Sequence, residues 1–204
     1  MKGKALLLLS GGFDSAVSGY LAQRKGYYLE ALHFSSEPLT DNTPEKKAAG
    51  AAKKLGIKKL YVANMSSFLA EMAPAAGKYY FVLMKRFMDM IAERVANEKG
   101  MEAIVTGENL AQVSSQTLSN VAVIDRATGL PVLRPVLCYD KREIIDKAKE
   151  IGVYGICEGK EQCDVLGPQK PATVSRVETM EEIEKMIGIE KHVEKCLKEL
   201  KEAA

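Results

Sequence analysis

No apolar stretch in this chain approaches the ~20 residues needed to cross a bilayer, which argues against a membrane span. The N-terminal MKGKALLLL places two lysines before an apolar run, the order of a secretory signal. That run is five residues long and stops at Ser10-Gly11, so a buried strand and a cytoplasmic location are expected instead. Charge of one sign is also lacking. The formal net charge is +2, too close to neutral to announce a nucleic-acid binder. Cysteine is sparse: Cys138, Cys157, Cys163 and Cys196 form no CxxC pair and cannot build a disulfide-dense secreted scaffold. There is no internal repeat and no low-complexity segment. Neither G-x-x-x-x-G-K-[ST] nor G-x-G-x-x-G occurs, which excludes the commonest phosphate-binding fingerprints.

What is present is a regular alternation of apolar runs and helical patterns. The chain has 204 residues, 47% of them hydrophobic and 27% charged, enough for one substantial core and a small appendage. Lys4 to Leu9 reads as a strand covered on both faces. Helix follows from Ala16 to Lys25, then a strand over Tyr28 to Phe34. The polar loop SSEPLTDNT leads to a lysine-rich helix opened by Thr43-Pro44. A third strand covers Leu60 to Ala63, a long helix runs from about Lys78 to Lys99, and a fourth strand covers Glu102 to Val105. A helix around Ser114 to Ile124, a short strand near Val132-Leu133 and a helix from Asp140 to Ile151 complete the series. Asp140 and Glu143 have the spacing of a capping box. Cys157 to Val174 reads as a loop, and Glu178 to Glu202 as a charged helical tail packed on the body or on a second subunit. This alternation predicts an α/β fold with a doubly wound, mostly parallel sheet and helices on both faces. Residues 1–175 would form the main domain and 176–204 the tail. Such sheets bind ligands beyond the carboxyl ends of their strands, where Ser10, His33 and Gly107 fall.

The stretch SGGFDS joins the first strand to the first helix. Two glycines there let backbone N–H groups approach an anion, and a helix start favours negative charge. The same glycines also suit a plain tight turn, and the residues of the loop alone do not decide between the two. No lysine follows them, so cationic charge at a phosphate site would come from elsewhere in the chain or from Mg²⁺. Asp14 beside phosphates would serve as a metal contact or an orienting acceptor. Lys46, Lys47, Lys53, Lys54, Lys58 and Lys59 cluster on one helix and its exit, either as a solvated face or as a docking surface for a polyanion.

SGGFDS resembles the S-G-G-x-D-S loop of the PP-loop ATPases, with the adenine nucleotide alpha hydrolase-like fold. That resemblance implies cleavage of ATP between the α and β phosphates, adenylation of a substrate oxygen and a loop that cradles pyrophosphate. The later series VLMKRFMDMIAERVANEKGMEAIVTGENLAQVSSQTLSNVAVID and LPVLRPVLCYDKREII resembles the catalytic domain of the tRNA 4-thiouridine synthetase family, which is also linked to thiamine biosynthesis. The likeness runs from about Lys4 to Val174. It implies ATP contacts at Leu8, Leu9, Ser10, Gly11, Gly12, Asp14, Ser15, His33, Phe34, Lys85, Gly107 and Gln116. Phe34 and His33 would flank adenine, although a buried neutral histidine is an equally ordinary occupant of a strand end. Lys85 would supply a cation, and Gln116 amide donors and an acceptor.

The segment EQCDVLGPQKPATV implies that Cys163 is the family's essential cysteine, the carrier of sulfur, with Asp14 beside it in the catalytic set. A partly exposed thiolate on a polar loop suits that chemistry. Cys157 would resolve a disulfide or be unrelated, and Cys196 would pack. No protein-held metal is expected, since Cys138, Cys157 and Cys163 match no iron–sulfur spacing. ATP and Mg²⁺ are the implied cofactors. The implied partners are tRNA, a sulfur donor such as a cysteine desulfurase or persulfide carrier, and a second copy of the chain. Neither the family's N-terminal tRNA-binding region nor its C-terminal rhodanese-like domain is expected within these residues. Alternatives are a PP-loop enzyme using a non-sulfur nucleophile on a small molecule, and a non-catalytic ATP sensor.

Overall fold

A computed structural model describes residues 3–110, 116–159 and 166–203. In chain order the elements are β1 (Gly3–Leu8), α1 (Phe13–Arg24), β2 (Tyr27–Ser35), α2 (Thr43–Lys54), β3 (Leu60–Asn64), α3 (Ser66–Ala76) and α4 (Tyr80–Glu98). Then follow β4 (Ala103–Val105), α5 (Leu118–Ile124), β5 (Val132–Leu133), α6 (Lys141–Glu150), α7 (Tyr154–Cys157), α8 (Val177–Ile187), α9 (Ile189–Lys198) and β6 (Lys201–Ala203).

The six strands make one sheet in the order β5-β4-β1-β2-β3-β6, parallel throughout except for β6, which runs antiparallel to β3. From β1 the chain winds to one side through β2 and β3, then returns to the other side for β4 and β5. The order therefore reverses between β1 and β4. A crevice opens at that point in doubly wound sheets, because the loops after the two central strands diverge.

Strand alternation divides the core in two. Leu6, Leu8, Leu32, Tyr61 and Ala63 face α3, α4 and α9, whereas Ala5, Leu7, Leu9, Ala31 and Leu60 face α1, α2 and α6. Both faces are covered, which is why β1 reads as a continuous apolar run rather than an alternating one. A smaller cluster of Val82, Val123, Ile124 and Met180 fastens α5 and α8 to α4. The Asp140 capping box forms as its spacing predicts. Its carboxylate accepts from the N–H groups of Arg142 and Glu143, and Glu143 accepts from the Asp140 N–H.

One helix was not anticipated, and three sequence expectations need correction. Ser66–Ala76 is a helix, although Pro74 and Gly77 punctuate it. It stands because Asn64 accepts bonds from the Ser66 N–H and hydroxyl at its start, while Phe68, Leu69, Met72 and Ala76 are buried. The tail is not one helix. Gly188 takes a left-handed conformation, φ 63°, which ends α8 and starts α9. Its last residues form a strand rather than a helix, pairing Lys201–Ala203 with Leu60–Val62. Cys157 is the buried last residue of α7 rather than part of a loop.

The tail also contributes a buried ion pair. Arg86 of α4, 2% exposed, reaches Glu184 of α8 through Nε and through Nη2 at 3.0 Å, and Nη1 donates to the Val123 carbonyl at 2.6 Å. Cys196 of α9 is buried and its thiol donates to the Asn64 carbonyl at 3.2 Å. Burial pushes that thiol up to about 12, so it stays protonated at neutral pH. Among the described residues no helix is long and apolar enough to cross a membrane.

Candidate functional site

The loop after β1 is shaped by glycine and serine together. Gly11 has φ 88°, a left-handed conformation that L side chains rarely adopt. A Cβ there would lie 2.7 Å from the Pro44 carbonyl and 2.9 Å from Lys47 Cβ, so the loop is pressed against the start of α2. Ser15 reaches back to the loop. Its hydroxyl accepts from the Ser10 N–H at 3.2 Å, lies 3.1 Å from the Ser10 hydroxyl and donates to the Gly12 carbonyl at 3.1 Å. The Ser10 hydroxyl also accepts from the Gly12 N–H at 3.2 Å. These bonds set Gly12 as the N-cap of α1, whose first-turn N–H groups then point beyond the sheet edge.

Across the switch point, Gly107 after β4 lies against α1. A Cβ on it would be 2.7 Å from the Asp14 carbonyl carbon and closer still to the Ser15 nitrogen. Only a residue without a side chain lets these two loops meet. Their junction is one wall of a cavity of about 920 Å³, a volume within the range of small-molecule and cofactor sites.

Every residue to which the resemblance gave an ATP contact reaches this cavity. Leu8, Leu9, Ser10, Gly11, Gly12, Asp14 and Ser15 line it from β1 and the loop, and His33 and Phe34 line it from β2. Lys85, Gly107 and Gln116 line it from α4, from the end of β4 and from the segment before α5. Cys157 lies on its wall as well. Cys163, together with the QVSS portion of the TGE segment, lies outside the described residues. Cys138 is exposed and lies apart from this cavity.

His33 is 2% exposed, and its Nδ1 is 2.9 Å from the Leu9 carbonyl. A carbonyl only accepts, so Nδ1 carries the proton and Nε2 is left with a lone pair. Nε2 is buried without a partner among the described residues. Burial lowers the His33 pKa below its ordinary value, against smaller opposing effects of the Leu9 bond and Glu45. The ring is therefore neutral, and it offers an acceptor to a ligand N–H such as the amino group of a purine.

Lys85 is not a solvated helix lysine. Its Nζ is 2.6 Å from Glu108 Oε1, and Arg134 Nε is 2.7 Å from Glu108 Oε2. Arg134 also binds Asp125. Burial alone would raise the Glu108 carboxyl, but the two cations outweigh it and hold it at about 2. Asp89, one turn beyond Lys85 on α4, is 3% exposed, and its Oδ2 has no partner among the described residues. Burial chiefly, with Glu108 adding to it, raises the Asp89 carboxyl well above the usual range in the cavity wall. Gln116 presents its carbonyl to the Asn109 N–H at 3.3 Å.

Lys141, Glu108 and Asp89 line the cavity without having been named from sequence, and Lys47 was named only as one of six clustered lysines. Glu108 carried a signal, since it completes TGE. Lys47 lay in a lysine run read either as a solvated face or as a polyanion-docking surface, and Asp89 in the polar stripe of a long helix.

The donor set fits a nucleotide. Gly11 and Gly107 let their loops pack directly on α2 and α1, where a Cβ would clash, His33 Nε2 is an orphaned acceptor, and the apolar lining includes Phe34, Met65, Met84 and Met88. No group of three or more metal-ligating side chains occurs among the described residues. A carboxylate such as Asp14 suits Mg²⁺ carried in by phosphate oxygens, the usual mode for that ion.

Residues 1–189 match the family model described as thiamine biosynthesis protein (ThiI). A probable tRNA sulfurtransferase of Finegoldia magna is 37% identical over 96% of this chain and 52% of its own length. Another from Moorella thermoacetica is 39% identical over 97% and 53%. The chain thus spans about half the length of the curated relatives it matches. A solved 4-thiouridine synthetase in complex with RNA and ATP superposes with a TM-score of 0.92 and 36% identity. That match covers 98% of this chain and 55% of the other. NMN synthetase from Francisella tularensis, at 18% identity and a TM-score of 0.60, shares the fold alone. With its mostly parallel sheet and its PP-loop at the switch point, the chain belongs to the thiamine biosynthesis protein (ThiI) family.

Proposed function

We propose that this chain is the ATP-using catalytic unit of a tRNA sulfurtransferase that makes 4-thiouridine. In that reaction ATP is cleaved between its α and β phosphates, a uridine carbonyl oxygen is adenylated and pyrophosphate leaves. Sulfur carried on Cys163 then attacks the activated carbon, and the carbon–oxygen bond to AMP breaks. If the sulfur arrives as a persulfide, its attack leaves the uridine joined to Cys163 through an S–S bond. We assign its release to Cys157. The Cys157 thiolate attacks the Cys163 sulfur, a Cys157–Cys163 disulfide forms as the thiouridine sulfur leaves, and an added thiol reductant reopens that disulfide. Burial pushes the Cys157 thiol up to about 11, against a smaller opposing effect of Lys47. At neutral pH it is therefore overwhelmingly the thiol, and its attack requires loss of that proton.

The residues divide the work. The loop N–H groups at Gly11, Gly12 and the start of α1 receive the departing pyrophosphate, with the helix dipole favouring its charge. His33 and Phe34 hold the adenine, through the free Nε2 and the ring face. Gly107 keeps β4 close enough for its loop to meet the nucleotide, and Gln116 presents its amide. Asp14 orients the phosphates, and Mg²⁺ bound with them would neutralise charge as pyrophosphate separates. We place the protein in the cytoplasm, with tRNA as acceptor and a cysteine desulfurase or persulfide carrier as donor. A second copy of the chain and a role in thiazole sulfur transfer belong to the same proposal.

The observation that carries this reading is the convergence of SGGFDS, His33, Phe34, Lys85, Gly107 and Gln116 on one cavity at the switch point. The test is incubation with labelled ATP, Mg²⁺, unmodified tRNA and a sulfide or persulfide source. AMP, pyrophosphate and thiolated uridine are the expected products. Absence of thionucleoside with tRNA and donor saturating, or full activity in Cys163→Ser, would refute it.

A further inference from the structure

A loop that receives a pyrophosphate group bearing several negative charges needs a cation, and SGGFDS contains none. Lys85 is a poor source, because its ammonium is already 2.6 Å from the Glu108 carboxylate. Asp14 has the wrong sign.

Lys47 has the required placement. It lies in the second turn of α2, the helix against which Gly11 is pressed, and its Cβ is 2.9 Å from where a Gly11 Cβ would stand. Its Nζ is 3.1 Å from where a Gly159 Cβ would stand. The side chain therefore starts beside the loop and ends beside the turn that follows α7. Gly159 takes φ 114°, and its missing side chain leaves room for the ammonium. Lys47 and Cys157 both line the cavity. Among the described residues no carboxylate lies within ion-pair distance of Lys47. The neighbouring Lys46 is exposed and does not line the cavity.

We propose that Lys47 is the cation that binds the pyrophosphate portion of the nucleotide at the Gly11–Gly12 loop. The proposal rests on the nucleotide reading above and names a side chain for the charge that the loop lacks. Lys47 grips the part of ATP that departs, so it distinguishes ATP and free pyrophosphate from AMP. It also gives the lysine-rich helix one member with a task different from that of its solvated neighbours.

The test is calorimetric titration of the wild type and of Lys47→Met with ATP, inorganic pyrophosphate and AMP, at fixed Mg²⁺. Methionine keeps the aliphatic stem and removes the charge. A charge-assisted hydrogen bond lost from the complex predicts a fall of roughly 10- to 100-fold in affinity for ATP and for pyrophosphate. AMP affinity should be unchanged, and Lys47→Arg should retain most of the ATP affinity. Equal affinity of wild type and Lys47→Met for pyrophosphate would overturn the proposal, as would an equal loss for AMP and ATP. If Lys47→Met does not fold, Lys47→Gln carries the same comparison. A wild type that binds neither ATP nor pyrophosphate would overturn the nucleotide reading itself. A wild type that binds both but thiolates nothing would sink the sulfur chemistry and leave Lys47 in place.

Discussion

Replacing Glu108 with glutamine takes a negative charge from between two cations in the cavity wall. The magnitude follows from the ionisation of the carboxyl. Burial works to raise it, yet Lys85 and Arg134 bring it from an ordinary 4.5 to about 2. A depression of that size corresponds to about 3 kcal/mol, at ~1.4 kcal/mol per tenfold change in ionisation. Removing one member of a buried ion pair costs a comparable ~3–5 kcal/mol, because the remaining charges lose their partner. Glutamine keeps the shape and one acceptor for these donors, so we expect Glu108→Gln to lose about 2–3 kcal/mol at neutral pH. The sign of the pH dependence is fixed by the direction of the shift. A carboxyl held lower in the folded chain than in the unfolded one stabilises fully above pH 4.5, and that stabilisation disappears as pH falls toward 2. Urea denaturation of both proteins, at neutral pH and at steps below 4.5, should show a gap that narrows with acidity. A gap under about 1 kcal/mol at neutral pH, or one that stays constant on acidification, would refute the assignment of Glu108 as a buried anion between Lys85 and Arg134.

Asp89 should behave in the opposite sense. Its folded carboxyl is raised, so it costs stability increasingly as pH climbs above 3.8. Asp89→Asn should therefore raise the denaturation midpoint at neutral pH, by an amount that shrinks on acidification, and a destabilised variant would show that the carboxyl has an ionised partner. Gly107→Ala forces a Cβ into the backbone of Asp14 and Ser15. The strain should cost about 1–3 kcal/mol in denaturation and weaken ATP binding in titration, whereas Gly56→Ala, where a Cβ meets nothing, should leave ATP binding unchanged. In the tail, Glu184→Ala leaves Arg86 buried without its carboxylate and should cost about 3–5 kcal/mol. The double variant Arg86→Met with Glu184→Leu should recover most of that loss in the same assay, and failure to recover would show that packing rather than charge dominates.

Much of the fold was legible because single residues act locally. Gly26, Gly56 and Gly100 end helices with positive φ, and Thr43-Pro44 and Asp140 open them. The apolar run of β1 announces a strand covered on both sides. Ser66–Ala76 was not legible, because Pro74 reads as a breaker. The proline deprives the helix of one backbone hydrogen bond, which four buried apolar side chains from the same segment outweigh. The strand at Lys201–Ala203 was not legible either. Its residues have no strand pattern, and it forms because α8 and α9 deliver it to the free edge of β3. Propensity says nothing of an edge created by distant parts of the chain.

The site shows the same division between what is local and what is not. SGGFDS states its own turn, since the Gly11 conformation and the Ser10–Ser15 bonds are fixed within six residues. The sign of charge around it depends on side chains far along the chain. A motif can nominate Lys85, but it cannot reveal that Glu108, a carboxylate shared with Arg134, stands beside it and offsets its charge. Nor can it separate Lys47 from Lys46, which differ only in which side of α2 meets Gly11. The glycines thus nominate a loop, whereas the cation we propose for it becomes identifiable only once the helix beside the loop has been placed.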